Sequence, residues 1–179
     1  MIPPVAFFQI FTIGHSNRSF EDLVFLLKEF NIRALADVRR FPSSRKFPHF
    51  NRDPFKKQLE VHGICYIWFE ALGGFRSSVT KKESPNTGLE NPGFRNYADH
   101  MMTAEFREAT EQIIALAKSQ TTTIMCAEKF YWKCHRLLLS DFLIAQGVEI
   151  KHIVDHGQLR LHRLSSRAVI QDNGTLVYR

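Results

Sequence analysis

Cysteine is scarce in this chain: 179 residues carry three, at positions 65, 126 and 134. Three unevenly spaced thiols do not make a disulfide framework, so a reducing, cytoplasmic setting is expected. Long apolar runs are missing as well. Nothing approaches the roughly 20 residues that span a bilayer, so no membrane association is expected. The apolar start, "MIPPVAFFQIF", has neither a basic leader nor a small-residue cleavage site, and reads as a strand rather than a signal peptide. The chain also lacks the glycine-rich phosphate loops, Gly-x-Gly-x-x-Gly or one ending in Gly-Lys-Ser. It lacks the two Cys-x-x-Cys knuckles of a structural zinc site. No internal repeat, low-complexity tract or second domain is visible.

What is present is an ordinary globular composition, 44% hydrophobic and 23% charged. A chain this long fits one domain that buries about 70% of its unfolded surface. Basic residues exceed acidic ones, 24 Lys and Arg against 18 Asp and Glu. The surplus is concentrated: residues 33 to 57 hold eight Lys/Arg and two Asp, and residues from 151 onward hold five basic, two acidic and three histidine residues. Such clusters suit phosphate-bearing partners, although a mildly basic small protein is also common.

Five β-branched or aromatic runs read as strands: 7–14, 34–39, 64–69, 121–126 and 149–154. Between them lie amphipathic helices. "SFEDLVFLLKEF" opens with a Ser19–Asp22 capping pattern and repeats Phe20, Leu23, Leu27 and Phe30 at helical spacing. Asp53 is placed to cap "PFKKQLEVHG" with Pro54 first. A short helix around "FRNYADHMM" precedes one capped by Thr103, and "CHRLLLSDFLIAQ" forms the last. Residues 70–93 make a long connection of the kind that serves as a lid. The alternation predicts an α/β domain over 1–154, with a mainly parallel five-stranded sheet and helices on both faces, a Rossmann-like three-layer sandwich. Residues 155–179 form an appended tail or hairpin.

In such sheets ligands bind beyond the carboxyl ends of the strands. His15 and Ser16 end the first strand, Asp37 and Arg39 the second, Glu70 the third, Cys126 and Glu128 the fourth. "TIGHSNRS" presents an imidazole and hydroxyls beside helix amides, an anion site, or a turn whose polar groups satisfy its own backbone. In "DVRRFPSSRKFPHFN", Asp37 can orient Arg39, and Arg39, Arg40, Arg45 and Lys46 can clamp phosphate. Phe50 and its neighbouring rings can stack on bases or cover the core. In "IMCAEKFYWKCHRLL", Cys134 lies at an expected helix start beside Lys133, His135 and Arg136, conditions that favour thiolate, whereas Cys126 ends an apolar strand. Glu128 is the general acid/base candidate, on the argument that a partly desolvated rim raises a carboxyl pKa. Arg136, on the first helical turn, and the adjacent His135 suit an anion. No resident metal is expected; zinc held by Cys126, Cys134 and His135 or His15 is the alternative.

These stretches, together with "ALGG", "FRNYADHM" and "GVEIKHI", resemble the domain of unknown function 488 family over about residues 10–154. The resemblance implies an α/β domain whose His-Ser, Asp-Val-Arg, Cys-Ala-Glu and Cys-His-Arg motifs share one site, and implies no reaction. A fainter likeness is to rhodanese-type sulfurtransferases, which carry Asp-Val-Arg after a strand. In those the reactive cysteine opens a short loop, whereas Arg136 lies ten residues past Cys126.

The leading reading is an enzyme acting on a phosphate-bearing small molecule or nucleic acid. Arg39 and Arg136 hold the anion, Glu128 acts as acid/base and His15 assists. Asp37 positions Arg39 or His15, while Tyr97 and the 70–92 connection cover the pocket. A sulfur or acyl transferase using Cys126 or Cys134, and a non-catalytic nucleic-acid-binding module, remain alternatives.

Overall fold

The computed structural model describes residues 8–77, 83–172 and 174–179. Five parallel strands and one antiparallel strand form a single sheet. In chain order the strands are β1 (Gln9–Gly14), β2 (Ala34–Asp37), β3 (Cys65–Trp68), β4 (Thr122–Cys126), β5 (Glu149–Asp155) and β6 (Gln158–Leu161). Their spatial order is β3-β2-β4-β1-β5-β6, with only β6 antiparallel. The five expected strands are all present. The sixth comes from the C-terminal segment, which turns back at Gly157 (φ +62°) and pairs with β5. Two further strands, β7 (Ala168–Ile170) and β8 (Leu176–Tyr178), form a separate antiparallel pair.

Apolar periodicity assigns the helices to the two faces. α1 (Phe20–Glu29) and α2 (Arg52–Val61) bury Leu23, Leu27, Phe55 and Leu59 against Phe11, Ile13, Leu35 and Met125. On the opposite face α3 (Pro92–His100), α4 (Ala104–Ser119) and α5 (Arg136–Ala145) pack Tyr97, Phe106, Ile113 and Leu139 onto Ile10, Ala36 and Ile124. Ser19 caps α1 by accepting the Asp22 N–H at 3.0 Å, and Thr103 accepts from Phe106 at the start of α4. Two helix starts differ from expectation. α2 begins at Arg52, so Pro54 occupies the third position, still within the turn where backbone N–H groups have no helical partner. α5 begins at Arg136, after a 3-10 turn over Tyr131–Lys133.

The long connection after β3 is pinned rather than draped. Ser84 and Asn86 donate to Asp99 of α3, and the Asn86 side-chain amide oxygen accepts the Tyr178 N–H of β8. The first residues through Phe7 and residues 78–82, parts of the expected first strand and connection, lie outside the described residues. Among the described residues, no helix is long and apolar enough to cross a membrane.

Candidate functional site

Strand register sets the site. Gly14 is level with Cys126, and Asp37 with Met125 and Trp68, so β1, β2, β3 and β4 end at one height. Beyond that edge the chain after β4 folds back over β1. A Cβ on Gly14 would lie 1.9 Å from the Glu128 carbonyl oxygen, so only glycine permits the approach. The His15 and Ser16 N–H groups then donate to the Cys126 and Ala127 carbonyls at 2.9 and 2.8 Å, and Ser16 adopts a left-handed φ of +52°.

Asp37 is fully buried and holds Arg39 bidentately. Nε lies 2.9 and 3.1 Å from the two carboxylate oxygens, Nη2 lies 2.5 Å from one of them, and the Tyr66 hydroxyl donates to the same oxygen at 2.7 Å. Burial opposes the charge on Arg39, yet the Asp37 hydrogen bonds and charge raise its pKa above the ordinary value. Burial and the Asp37 charge push the Tyr66 phenol up, which keeps it a donor. Nη2 also donates to the Phe50 carbonyl at 2.9 Å, while Nη1 approaches His15 Nε2 at 3.4 Å. A guanidinium has five N–H groups, and these contacts leave one on Nη1 unclaimed.

His15 is 3% exposed and its tautomer follows from its neighbours. Nδ1–H donates to the Ser16 carbonyl at 2.9 Å, so Nε2 is the lone-pair nitrogen that faces Arg39. Burial, reinforced by the Arg39 charge, lowers its pKa to about 4. The ring is therefore neutral at pH 7, and it packs on Phe50 with centroids 4.2 Å apart.

A cleft of about 570 Å³ opens over this edge, lined by His15, Ser16, Arg39, Lys46, Phe47 and Glu128, among others. Small-molecule sites span roughly 300–1,000 Å³. The Glu128 side chain is exposed, so the desolvation expected there from the sequence is absent. Asn17, Phe41, Ser43 and Ser44 also line the cleft. Sequence reasoning did not single out the two serines, and only their place in the basic loop signalled them. Tyr66 was missed too, since its strand neighbours gave no hint of a partner 29 residues away.

Several expected residues lie elsewhere. Arg136 is 1% exposed and does not line the cleft. Its guanidinium turns under the loop and donates to the Glu128 carbonyl, to the Lys129 carbonyl at 3.2 Å and to Thr12 at 3.3 Å. Tyr97 is no cover for the cleft. It is buried in the core, donates to the Leu72 carbonyl at 2.9 Å and packs 4.9 Å from His135. The adjoining Gly73 and Gly74 lie against Arg40 and His135 instead. Arg40 pairs with Glu70 at 3.0 Å, Phe50 is fully buried rather than free to stack, and Arg45 is exposed outside the cleft lining.

Cys126, Cys134 and His135 form a second cluster behind the cleft. Their donor atoms lie within 4.8 Å of one another, so among the described residues they form a group that could hold a metal. His15 is not among them, both its nitrogens being engaged. Cys126 and Cys134 are 8% and 5% exposed. The hydrogen bond from Cys126, together with His135, lowers the Cys134 pKa well below a free thiol's, whereas that bond and burial raise that of Cys126.

The sequence of residues 19–143 matches the model of a domain of unknown function, DUF488, which runs from α1 into α5 and includes Asp37, Arg39, Glu128 and the thiol cluster. The chain belongs to the DUF488 family. No curated protein and no solved structure matches it. His15 and Ser16 precede the matched span, and the segment from β5 onward follows it.

Proposed function

We propose that this DUF488 protein is an enzyme acting on a phosphate-bearing substrate, a nucleotide or a nucleic-acid base or end, by general acid/base chemistry in the cleft. One observation carries the reading. A buried, carboxylate-anchored arginine, an ammonium and a carboxylate line one concave surface at the carboxyl end of a parallel sheet. The free Nη1–H of Arg39 and the Lys46 ammonium receive the phosphate, and Ser16 adds a hydroxyl. Asp37 fixes Arg39, so little side-chain entropy is lost on binding. Neutral His15 orients Arg39 through Nε2 and, with its low pKa, adds no charge of its own. The Glu128 carboxylate, just past the end of β4 between them, takes or returns the proton of the reacting group. Phe41 and Phe47 supply faces for a base.

The nucleic-acid form of the substrate is supported by the chain just past Glu128. Phe130 and Trp132 are exposed and stacked at 4.8 Å, with Lys129, Lys133 and Arg160 against their rings. Aromatic faces flanked by cations are how single strands are gripped.

Thermal unfolding with a panel of nucleosides and their mono- and diphosphates tests the reading. Phosphorylated members should raise the midpoint and bare nucleosides should not. Lys46→Ala should weaken binding about tenfold or more, the scale of one charged hydrogen bond. Glu128→Gln should leave binding intact while costing turnover of the identified ligand about 10²–10⁴-fold. Equal shifts by nucleosides and nucleotides would sink it.

A further inference from the structure

We propose that Cys126, Cys134 and His135 bind one thiophilic divalent cation of the zinc class through two thiolates and an imidazole nitrogen, leaving one coordination position for a small exogenous ligand. The donors are already spaced for it. His135 Nδ1 lies 3.5 Å from Cys134 Sγ and 4.0 Å from Cys126 Sγ. A tetrahedral centre with bonds of about 2.3 Å to sulfur and 2.0–2.1 Å to nitrogen separates S and N by about 3.5 Å. Drawing Cys126 Sγ inward by about half an ångström, a small side-chain adjustment, brings it to the same distance from Nδ1.

The imidazole is prepared for the role. Nε2–H donates to the Val38 carbonyl at 3.1 Å, which leaves Nδ1 as the lone-pair nitrogen facing both sulfurs. A metal-binding histidine is commonly held in this way by its other nitrogen. Gly74 lies against the ring so closely that a Cβ there would fall 2.5 Å from Nδ1, and Tyr97 packs 4.9 Å away. The ring has no room to turn. One lone pair within reach of two sulfurs accepts only one S–H proton, whereas a central cation engages all three donors at once.

Ligand chemistry selects the ion. Two sulfurs and one imidazole, with no carboxylate in the group, favour zinc over the oxygen-seeking magnesium and calcium. Three protein donors with a vacant fourth position is the count found where zinc binds an exogenous molecule, in contrast to the four-ligand structural sites. The ion also acts on the neighbouring cleft. Cys126 is followed directly by Ala127 and Glu128, whose positions depend on the loop that Cys126 begins and Cys134 ends. Metal binding would clamp both ends of that loop. The proposal does not depend on what occupies the cleft.

Cobalt(II), a spectroscopic substitute for zinc, tests it on the full-length, reduced protein without oxygen. One equivalent should bind, with sulfur-to-cobalt charge transfer in the near ultraviolet and the intense visible bands of a tetrahedral ion; zinc(II) should abolish both. Cys126→Ser and Cys134→Ser should each lose most of the charge transfer, and His135→Gln should weaken binding at least tenfold. Cys65→Ser, at an exposed thiol, should change nothing. X-ray absorption of the zinc-loaded wild type needs no variant and should count two sulfur ligands. Failure to take up cobalt, a spectrum without charge transfer, or fewer than two sulfurs around zinc would overturn the proposal. A phosphate-binding cleft would be untouched by any of those results.

Discussion

Arg39 and His15 meet with Nη1 3.4 Å from Nε2, a cation donating to a neutral imidazole inside the protein. Burial is the main reason His15 stays unprotonated, and the contact with Arg39 adds to it. A second proton on its ring would remove the acceptor and set two positive charges side by side.

That arrangement makes stability depend on pH in a definite sense. His15 has a folded pKa of about 4 against 6.5 ordinarily, so between those values the unfolded chain binds the extra proton. Its contribution is intact above pH 6.5, is lost as pH falls, and is exhausted below about pH 4. Over that window the loss is roughly 3 kcal/mol, at about 1.4 kcal/mol per pH unit. His152, lowered to about 2 mainly by burial and also by His162, adds to the slope throughout the same range. Urea unfolding at several pH values should show stability falling by more than one proton's slope below pH 6. His15→Asn should reduce that slope by about one proton; an unchanged slope would show that His15 does not titrate in this way.

The C-terminal segment is tied to the domain by a buried chain of hydrogen bonds. Thr12 donates to His152 Nδ1 at 2.6 Å, and His152 Nε2 meets His162 Nδ1 at 2.9 Å. His162 Nε2–H then donates to Asp141 at 2.9 Å, and Asp141 accepts the Tyr178 hydroxyl at 3.0 Å. Tyr131 stacks on His152 at 3.5 Å, so the chain also supports the loop beyond Glu128. His162→Phe strands a buried donor on His152 and removes a partner of Asp141. A loss of about 1–3 kcal/mol is expected in denaturant unfolding. Arg163→Ala, at an exposed neighbour, should stay within about 0.5 kcal/mol. Equal effects from the two would mean that the network adds nothing to stability.

Most of the fold was legible because its signals are local. Apolar runs of strand length alternate with helical stripes, and Ser19 and Thr103 cap where the pattern places them. The strand-end rule likewise brought out His15, Arg39 and Glu128, which line one cleft. What escaped depends on pairings distant in sequence. An arginine that opens a helix suggests an anion contact, but the long side chain of Arg136 reaches back to the Glu128 and Lys129 carbonyls of a loop. Phe50 looked like a free ring in a basic loop; contact with His15, His49 and Phe55 buries it. The weak alternation of "LRLHRL" concealed an edge strand, since all four residues of β6 are exposed and carry no inside–outside pattern. His152 and His162 gave no periodic signal at all, and only strand pairing brings them together.

The most direct test of the central claim is a crystal structure with a bound nucleoside diphosphate. The account predicts phosphate density between Arg39 Nη1 and Lys46 Nζ, with Glu128 facing the reacting end and the base against Phe41 or Phe47. A diphosphate seated against Arg160 and Arg163 instead, with the cleft at His15 empty, would contradict it.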